Sequence, residues 1–197
     1  MATISLASDI KRVVKQLDSL QRKQVPYATA LALNDVAFDA RKAEQNAQRR
    51  YLDRPVRFTQ SGFFVDKANK RKLTATITIP QNRWKYIRHQ VEGGASTRQG
   101  APHAIPLDPS VKNKFGGMPR NKTRTLKKRK GHFIAKSGST NILFKRQGKQ
   151  VTPLIAFKKT TMQTKKYPVW KAATRVVESK FKHAFDKRIA HALRTAR

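Results

Sequence analysis

Four side chains near the middle of the chain have the types that a metal site or a general base needs: His89, Glu92, His103 and Asp108. They flank a glycine-rich stretch, so a loop could gather them, yet their spacing matches no ligand or acid–base motif. Cysteine is absent, which excludes disulfides, thiolate zinc sites and a cysteine nucleophile. His183 and His191 share a helical face only loosely and read as surface positions. The expectation is a chain without catalytic residues, metal or cofactor. The enzymatic alternative is a nuclease built on Glu92, Asp108 and the nearby histidines.

The denser chemistry is cationic. Lys112, Lys114, Arg120, Lys122, Arg124, Lys127, Lys128, Arg129 and Lys130 follow one another with no acid between them. Interrupted by Gly116, Gly117 and Pro119, such a run keeps a pliant backbone and lets its side chains follow a row of phosphates. Few neighbours suit base edges, so contact with nucleic acid is expected to be dominated by the backbone and insensitive to sequence. Phe115 is the one aromatic residue inside the run, with Trp84, Tyr86 and Phe133 flanking it. Stacking on unpaired bases is weakly supported, and double-stranded DNA is the expected ligand. A solvated charge run or a targeting signal is the plainer alternative.

The whole chain shares this bias. Its 197 residues carry 44 Lys and Arg against 11 Asp and Glu, a formal charge of +33. Self-repulsion of that order works against a compact monomer, so the chain needs a polyanion or an acidic protein neighbour. An apolar fraction of 38% suffices for one core, and a single α+β domain is expected. No apolar run is long enough to span a bilayer and no secretory signal is evident, so the expected site of synthesis is the cytoplasm, without membrane contact.

The elements that would position these groups follow from periodicity. Leu6, Ile10, Val13, Leu17 and Leu20 predict a first helix over 5–20, joined through 21–24 to a central helix over 25–51 as an antiparallel hairpin. Pro26 suits the start of that second helix, and Leu33, Val36, Ala37, Ala40, Ala43 and Ala47 form its buried stripe. Val56 to Val65, around Ser61-Gly62, reads as a hairpin of short strands. Leu73 to Ile79 alternates apolar residues with threonines and is the clearest strand. A short helix follows over 81–91.

Residues 93–131 hold six glycines and four prolines and read as a long basic loop, with Gly93-Gly94 and Gly116-Gly117 as hinges. Apolar bursts at 132–135, 141–145 and 151–158 predict an antiparallel meander, with Pro153 at an edge or before the pairing starts. A long amphipathic helix from Pro168 carries Trp170, Ala173, Val177, Phe181, Ala184, Phe185, Ile189 and Ala192. The expected architecture is an N-terminal helical hairpin (1–52), strands and a short helix (53–92), a basic loop (93–131), more strands (132–166) and a C-terminal helix (167–197), with the helices packed on an antiparallel sheet.

The string Val25-Pro26, Ala28, Ala30, Ala32, Leu33-Asn34, Val36-Ala37 and Ala40 resembles the N-terminal signature of the minor tail protein Z family of lambdoid phages. Tyr86-Ile87, His89 to Gly94, and Tyr167-Pro168-Val169-Trp170-Lys171-Ala172-Ala173 are similar in layout to a wider group of phage tail-component and head-tail joining proteins. The likeness is close over the short N-terminal stretch and architectural over the rest of the chain. It implies a structural, non-enzymatic virion protein of the neck or tail-completion type, assembled in the host cytoplasm. It further implies a homo-oligomeric ring that joins tail to head beside portal, adaptor, tail terminator or tube proteins, with non-specific duplex DNA passing its basic loop. A ribosomal or nucleoid-type nucleic-acid-binding protein is the alternative.

Overall fold

The computed structural model describes residues 2–7, 19–97 and 99–195. The architecture is α+β. Where composition suggests one domain, the chain divides into two compact units. The first comprises 1–91 and 167–197, and the second, 92–166, is inserted between them.

The first unit is built on one long helix, α1 (Ser19–Tyr51). It begins before Pro26, which lies inside it, so the expected turn at 21–24 is helical. Residues Ala2–Ala7 form strand β1 rather than the opening of a helix, because their alternation can be completed by a neighbouring strand. The remainder of the expected first helix, 8–18, lies outside the described residues. Four residues of the predicted stripe, Leu33, Val36, Ala37 and Ala40, are at most 1% exposed on the buried face of α1, whereas Ala43 and Ala47 are half-buried.

That face packs on a three-stranded antiparallel sheet in the order β1–β3–β2, with β2 at Phe64–Asp66 and β3 at Thr74–Ile79. In β3 Ala75, Ile77 and Ile79 are buried, while the alternating threonines are half-buried. Alanines on both elements let the helix and the sheet approach closely. Asn34 brackets the following loop, accepting from the Ala68 N–H at 2.8 Å and donating to its carbonyl at 3.0 Å. The expected partner of β2 is residues 56–58. Instead, Arg57–Gln60 is a single helical turn, α2, and β2 pairs with β3.

A 12-residue helix, α3 (Gln81–Glu92), follows, as its periodicity predicts. The C-terminal helix, α5 (Lys171–Thr195), runs antiparallel to α1. Lys180 meets Asp39 and Arg188 meets Asp35, both at 2.6 Å. These ion pairs are substantially exposed and contribute about 0–1 kcal/mol each. Val176, Val177, Phe181 and Ala184 of α5 pack against the buried cluster that holds Leu33 and Val36, and at about 1.5–3 kcal/mol for each fully buried large apolar side chain such packing outweighs the ion pairs.

The start of α5 has an unusual cap. Glu44, fully buried on α1, accepts from the Ala173 N–H at 2.9 Å and from the Tyr167 hydroxyl. It thereby satisfies one of the orphan N–H groups of the first turn of α5. Trp170, just before that turn, sits at φ +72°, a strained setting for a non-glycine residue, held by its edge-on contact with Phe63.

The second unit contains an antiparallel sheet in the order β5–β8–β7–β6 and a two-stranded ribbon, β4–β9. The strands are β4 (Gly94–Thr97), β5 (His103–Pro106), β6 (His132–Ser137), β7 (Thr140–Gln147), β8 (Gln150–Lys158) and β9 (Thr160–Gln163). The predicted meander is β6–β7–β8. Its small core is Val111, Leu126, Leu143, Leu154 and Ile155. A bulge at Leu154 separates the pairs Leu143–Ile155 and Phe144–Pro153, and its carbonyl accepts from the Leu107 N–H at 2.9 Å. Pro153 falls before the stretch of β8 that pairs with β5, which is how its missing N–H is tolerated.

The stretch 93–131 is thus not a structureless loop. It contributes β4, β5, a 3-10 turn at Pro109–Val111 and a short helix, α4 (Lys122–Lys127). One glycine of each pair sits in a closely packed turn. Asn113 leads a tight turn in which Gly116, at φ +78°, donates to the Asn113 carbonyl at 2.9 Å. At Gly93 a Cβ would come within 3.3 Å of the Lys165 nitrogen.

Glu44→Ala removes the acceptor for two buried donors and is expected to lower stability by about 3 kcal/mol in urea unfolding. A second expectation concerns pH. Burial, and then the bond to Glu44, hold the Tyr167 phenol above its ordinary value of 10.0. The folded chain keeps a proton that the unfolded chain loses, so the Tyr167 contribution is full below about pH 10 and declines above it. The stability gap between wild type and Tyr167→Phe should accordingly narrow as pH rises through that range; a constant gap would contradict the assignment.

Candidate nucleic-acid interface

The nine cations singled out in the sequence are carried by short, anchored pieces of backbone. Lys112 follows the 3-10 turn, whose first N–H is capped by Asp108: its carboxylate accepts from the Ser110 N–H at 2.7 Å. The Ser110 hydroxyl, and then this N–H bond, hold the Asp108 carboxyl below its usual range, and Lys145 and Lys112 lower it further. Lys114 belongs to the Asn113 turn and lies 5.3 Å from the Phe115 ring centroid. Arg120 precedes α4, which carries Lys122, Arg124 and Lys127. Lys128, Arg129 and Lys130 complete the turn into Gly131.

Eight of the nine are exposed and Lys122 is half-buried. Leu126 explains that display. It is the buried residue of α4, and with it docked among Val111, Leu143 and Leu154 the neighbouring basic side chains point away from the core. Thr123 adds a contact to the Met118 sulfur at 3.8 Å.

Folding brings in cations that sequence spacing does not associate with the run. The Arg146 N–H donates to the Gly131 carbonyl at 2.7 Å, and Lys145 is the register partner of His132. Both therefore border the end of the basic segment. Lys127 lies 5.0 Å from the ring centroid of Phe157, and Phe157 also lines a cavity of about 440 Å³. Around that cavity stand Lys158, Lys159, Ser139, Thr140 and Asn141. Hydroxyl, amide and ammonium groups are the donors that bind phosphate oxygens. The sequence signal for this extension is the basic ends of the strands, Lys145-Arg146 and Lys158-Lys159, which read as strand termini in isolation.

Electrostatically the second unit is nearly one-signed. Residues 92–166 contain eighteen Lys and Arg but only two acids, Glu92 and Asp108, and Asp108 is occupied with its cap.

The four groups with possible acid–base or metal chemistry are not assembled. His103 sits 3.0 Å from the Ser96 carbonyl through Nε2, and the Arg88 guanidinium approaches His89 at 3.2 Å. Among the described residues no three histidines or acids group as a metal would require. No helix is long and apolar enough to cross a membrane among the described residues.

Comparison with known proteins gives no match to any family model, curated protein or solved structure. The chemistry of the surface itself is therefore what points to a ligand.

Replacing Lys127, Lys128, Arg129 and Lys130 together by glutamine should reduce the log–log salt slope of duplex DNA binding by roughly 0.9 for each phosphate no longer neutralised. The fold should persist, since all four side chains are exposed. Leu126→Ala is the contrasting variant: with its side chain 4% exposed, truncation should cost about 2–5 kcal/mol of stability. An unchanged slope in the first variant would show that the cluster does not meet phosphate.

Proposed function

We propose that this chain is a non-enzymatic structural protein of a phage virion, of the neck or tail-completion type, whose inserted second unit holds the backbone of double-stranded DNA. The observation that carries the DNA contact is the exposed, almost acid-free surface of that unit, with its cations on anchored turns and strand ends. The virion role is supported by the likeness of 25–40 to the minor tail protein Z signature, a segment that forms the alanine-faced centre of α1.

The two parts of the proposal fit one physical demand. A protein beside a moving genome must attract the duplex without arresting it. Lysine and arginine contacts to phosphates carry no sequence information, so successive positions along the duplex are equivalent in energy and the DNA can slide. A homo-oligomeric ring, beside portal, adaptor, terminator or tube proteins, would repeat the cationic surface around a channel. The first unit supplies the helices and sheet edges on which such protein contacts are made.

Two measurements test the proposal. Mass spectrometry of purified particles should find the polypeptide in fixed stoichiometry; particles lacking it while infected cells hold it free would refute the virion role. Two duplexes of unrelated sequence should bind with equal affinity and equal salt dependence. A strong preference for one sequence, or for ribosomal RNA over duplex DNA, would refute the sliding contact.

A further inference from the structure

A second cationic site lies in the first unit, separate from the basic segment. The α1–α5 pair has a regular antiparallel register: Asp35 faces Arg188, Asp39 faces Lys180, and Glu44 faces Ala173. Continued toward the C-terminal end of α1, the register reaches Ala43 and Ala47 against Lys171, Ala172 and Arg175. Among the described residues no acid lines the cavity at that end. The small alanine side chains leave a cavity of about 230 Å³, lined also by Asn46, Arg50, Tyr51 and Pro168.

Arg50, Lys171 and Arg175 are exposed and converge on this hollow with no ion-pair partner among the described residues. Farther along the same two helices, Lys180 and Arg188 are matched by aspartates. Three like charges around one concavity are mutually destabilising, and an anion placed among them relieves that repulsion. The carboxylate of Glu44 does not serve, since it is fully buried and bonded to Tyr167 and Ala173.

We propose that this cavity binds the phosphate group of a nucleotide. Arginine and lysine supply the charge-assisted bonds that phosphate accepts. The half-exposed Tyr51 ring and Pro168 give an apolar wall for the adjoining sugar or base, and Asn46 adds an amide that both donates and accepts. At roughly 30 Å³ per water molecule, the cavity exceeds the needs of a halide and accommodates a phosphate with part of its nucleoside. A free mononucleotide and a nucleic-acid strand present the same chemistry. The site uses no residue of 92–166 and does not depend on the reading of that unit.

The test is an NMR titration of the full chain at physiological salt with deoxyadenosine monophosphate, following the backbone amides of Asn46, Ala47 and Ala172. Saturable shifts are expected, and the double variant Arg50→Gln/Arg175→Gln should weaken binding by roughly tenfold or more. The charge-preserving Arg50→Lys/Arg175→Lys should retain most of the affinity, and glutamine at 127–130 should leave it unchanged. Competition by a short single-stranded oligonucleotide would assign the phosphate to a strand; its failure would assign it to the free nucleotide. Absence of saturable shifts, equal affinity in the glutamine variant, or tighter binding of a glutamate-rich peptide than of the nucleotide would overturn the proposal. Thermal melts of each variant, with and without nucleotide, separate impaired binding from unfolding, because a folded variant that no longer binds shows no ligand-dependent rise in melting temperature.

Discussion

A single buried carboxylate ties this chain together. Glu44 lies on α1, yet both groups it binds lie on the far side of the insertion, at Tyr167 and Ala173. The Tyr167 N–H in turn donates to the Gln90 carbonyl at 3.0 Å, so the chain re-enters the first unit beside the point where it left. Removing a charge from water costs several kcal/mol, and only full satisfaction of its lone pairs makes such burial tolerable. Here a hydroxyl on one oxygen and a helix N–H on the other offset part of that cost. Re-entry is consequently possible in one register only, since a shift of one residue along 167–173 would leave a carboxylate and two donors unpaired. An insertion whose ends are pinned together can vary in content without disturbing the host unit.

The distribution of charge follows the same division. Nine of the eleven acids lie outside 92–166, and several have identifiable partners: Asp35, Asp39 and Asp66 pair with Arg188, Lys180 and Lys72. The first unit thus offsets part of its repulsion internally while its apolar face supplies the stability. Among the described residues the inserted unit has a core cluster of five buried side chains and almost no internal neutralisation. Its compactness rests on sheet pairing, the Leu154 bulge and the docking of Leu126 and Val111. In such a unit each phosphate contact also reduces self-repulsion, which links binding to folding in the manner of any ligand that prefers the native state.

How much of this is legible in the sequence depends on how far each element's burial pattern repeats. The stripe of α1, the alternation of β3 and the three bursts of the meander are long and regular, and all are readable. Ala2–Ala7 is not, because its alternation of apolar residues with Thr3 and Ser5 is only six residues long and runs into the helical spacing of Leu6, Ile10 and Val13, so the strand period stands out only once its partner is known. The 93–131 stretch escapes for the opposite reason. Its anchors, Val111, Met118 and Leu126, are single residues at irregular spacing, and their order comes from contacts with β7 and β8 that are distant in sequence. Glu44 resembles any other acid on a basic helix. Nothing local marks a carboxylate whose partners are more than a hundred residues away.

Local anchoring also determines what the cationic surface can do. A disordered basic tail pays the entropy of ordering whenever it binds, and loses affinity accordingly. The run from Lys112 to Lys130 is already restrained at four points: the Asp108 cap, the Asn113 turn, Leu126 in the core, and the Gly131 carbonyl bonded to Arg146. Its backbone has little order left to gain, whereas its lysine and arginine side chains remain exposed and free to rotate. In the proposed contact with DNA, affinity would come from a prearranged field, and adaptability from the side chains alone. That combination suits a surface on which the ligand changes position continually, because each new register requires only rotamer changes and no refolding of the strand ends and turns that carry the charge.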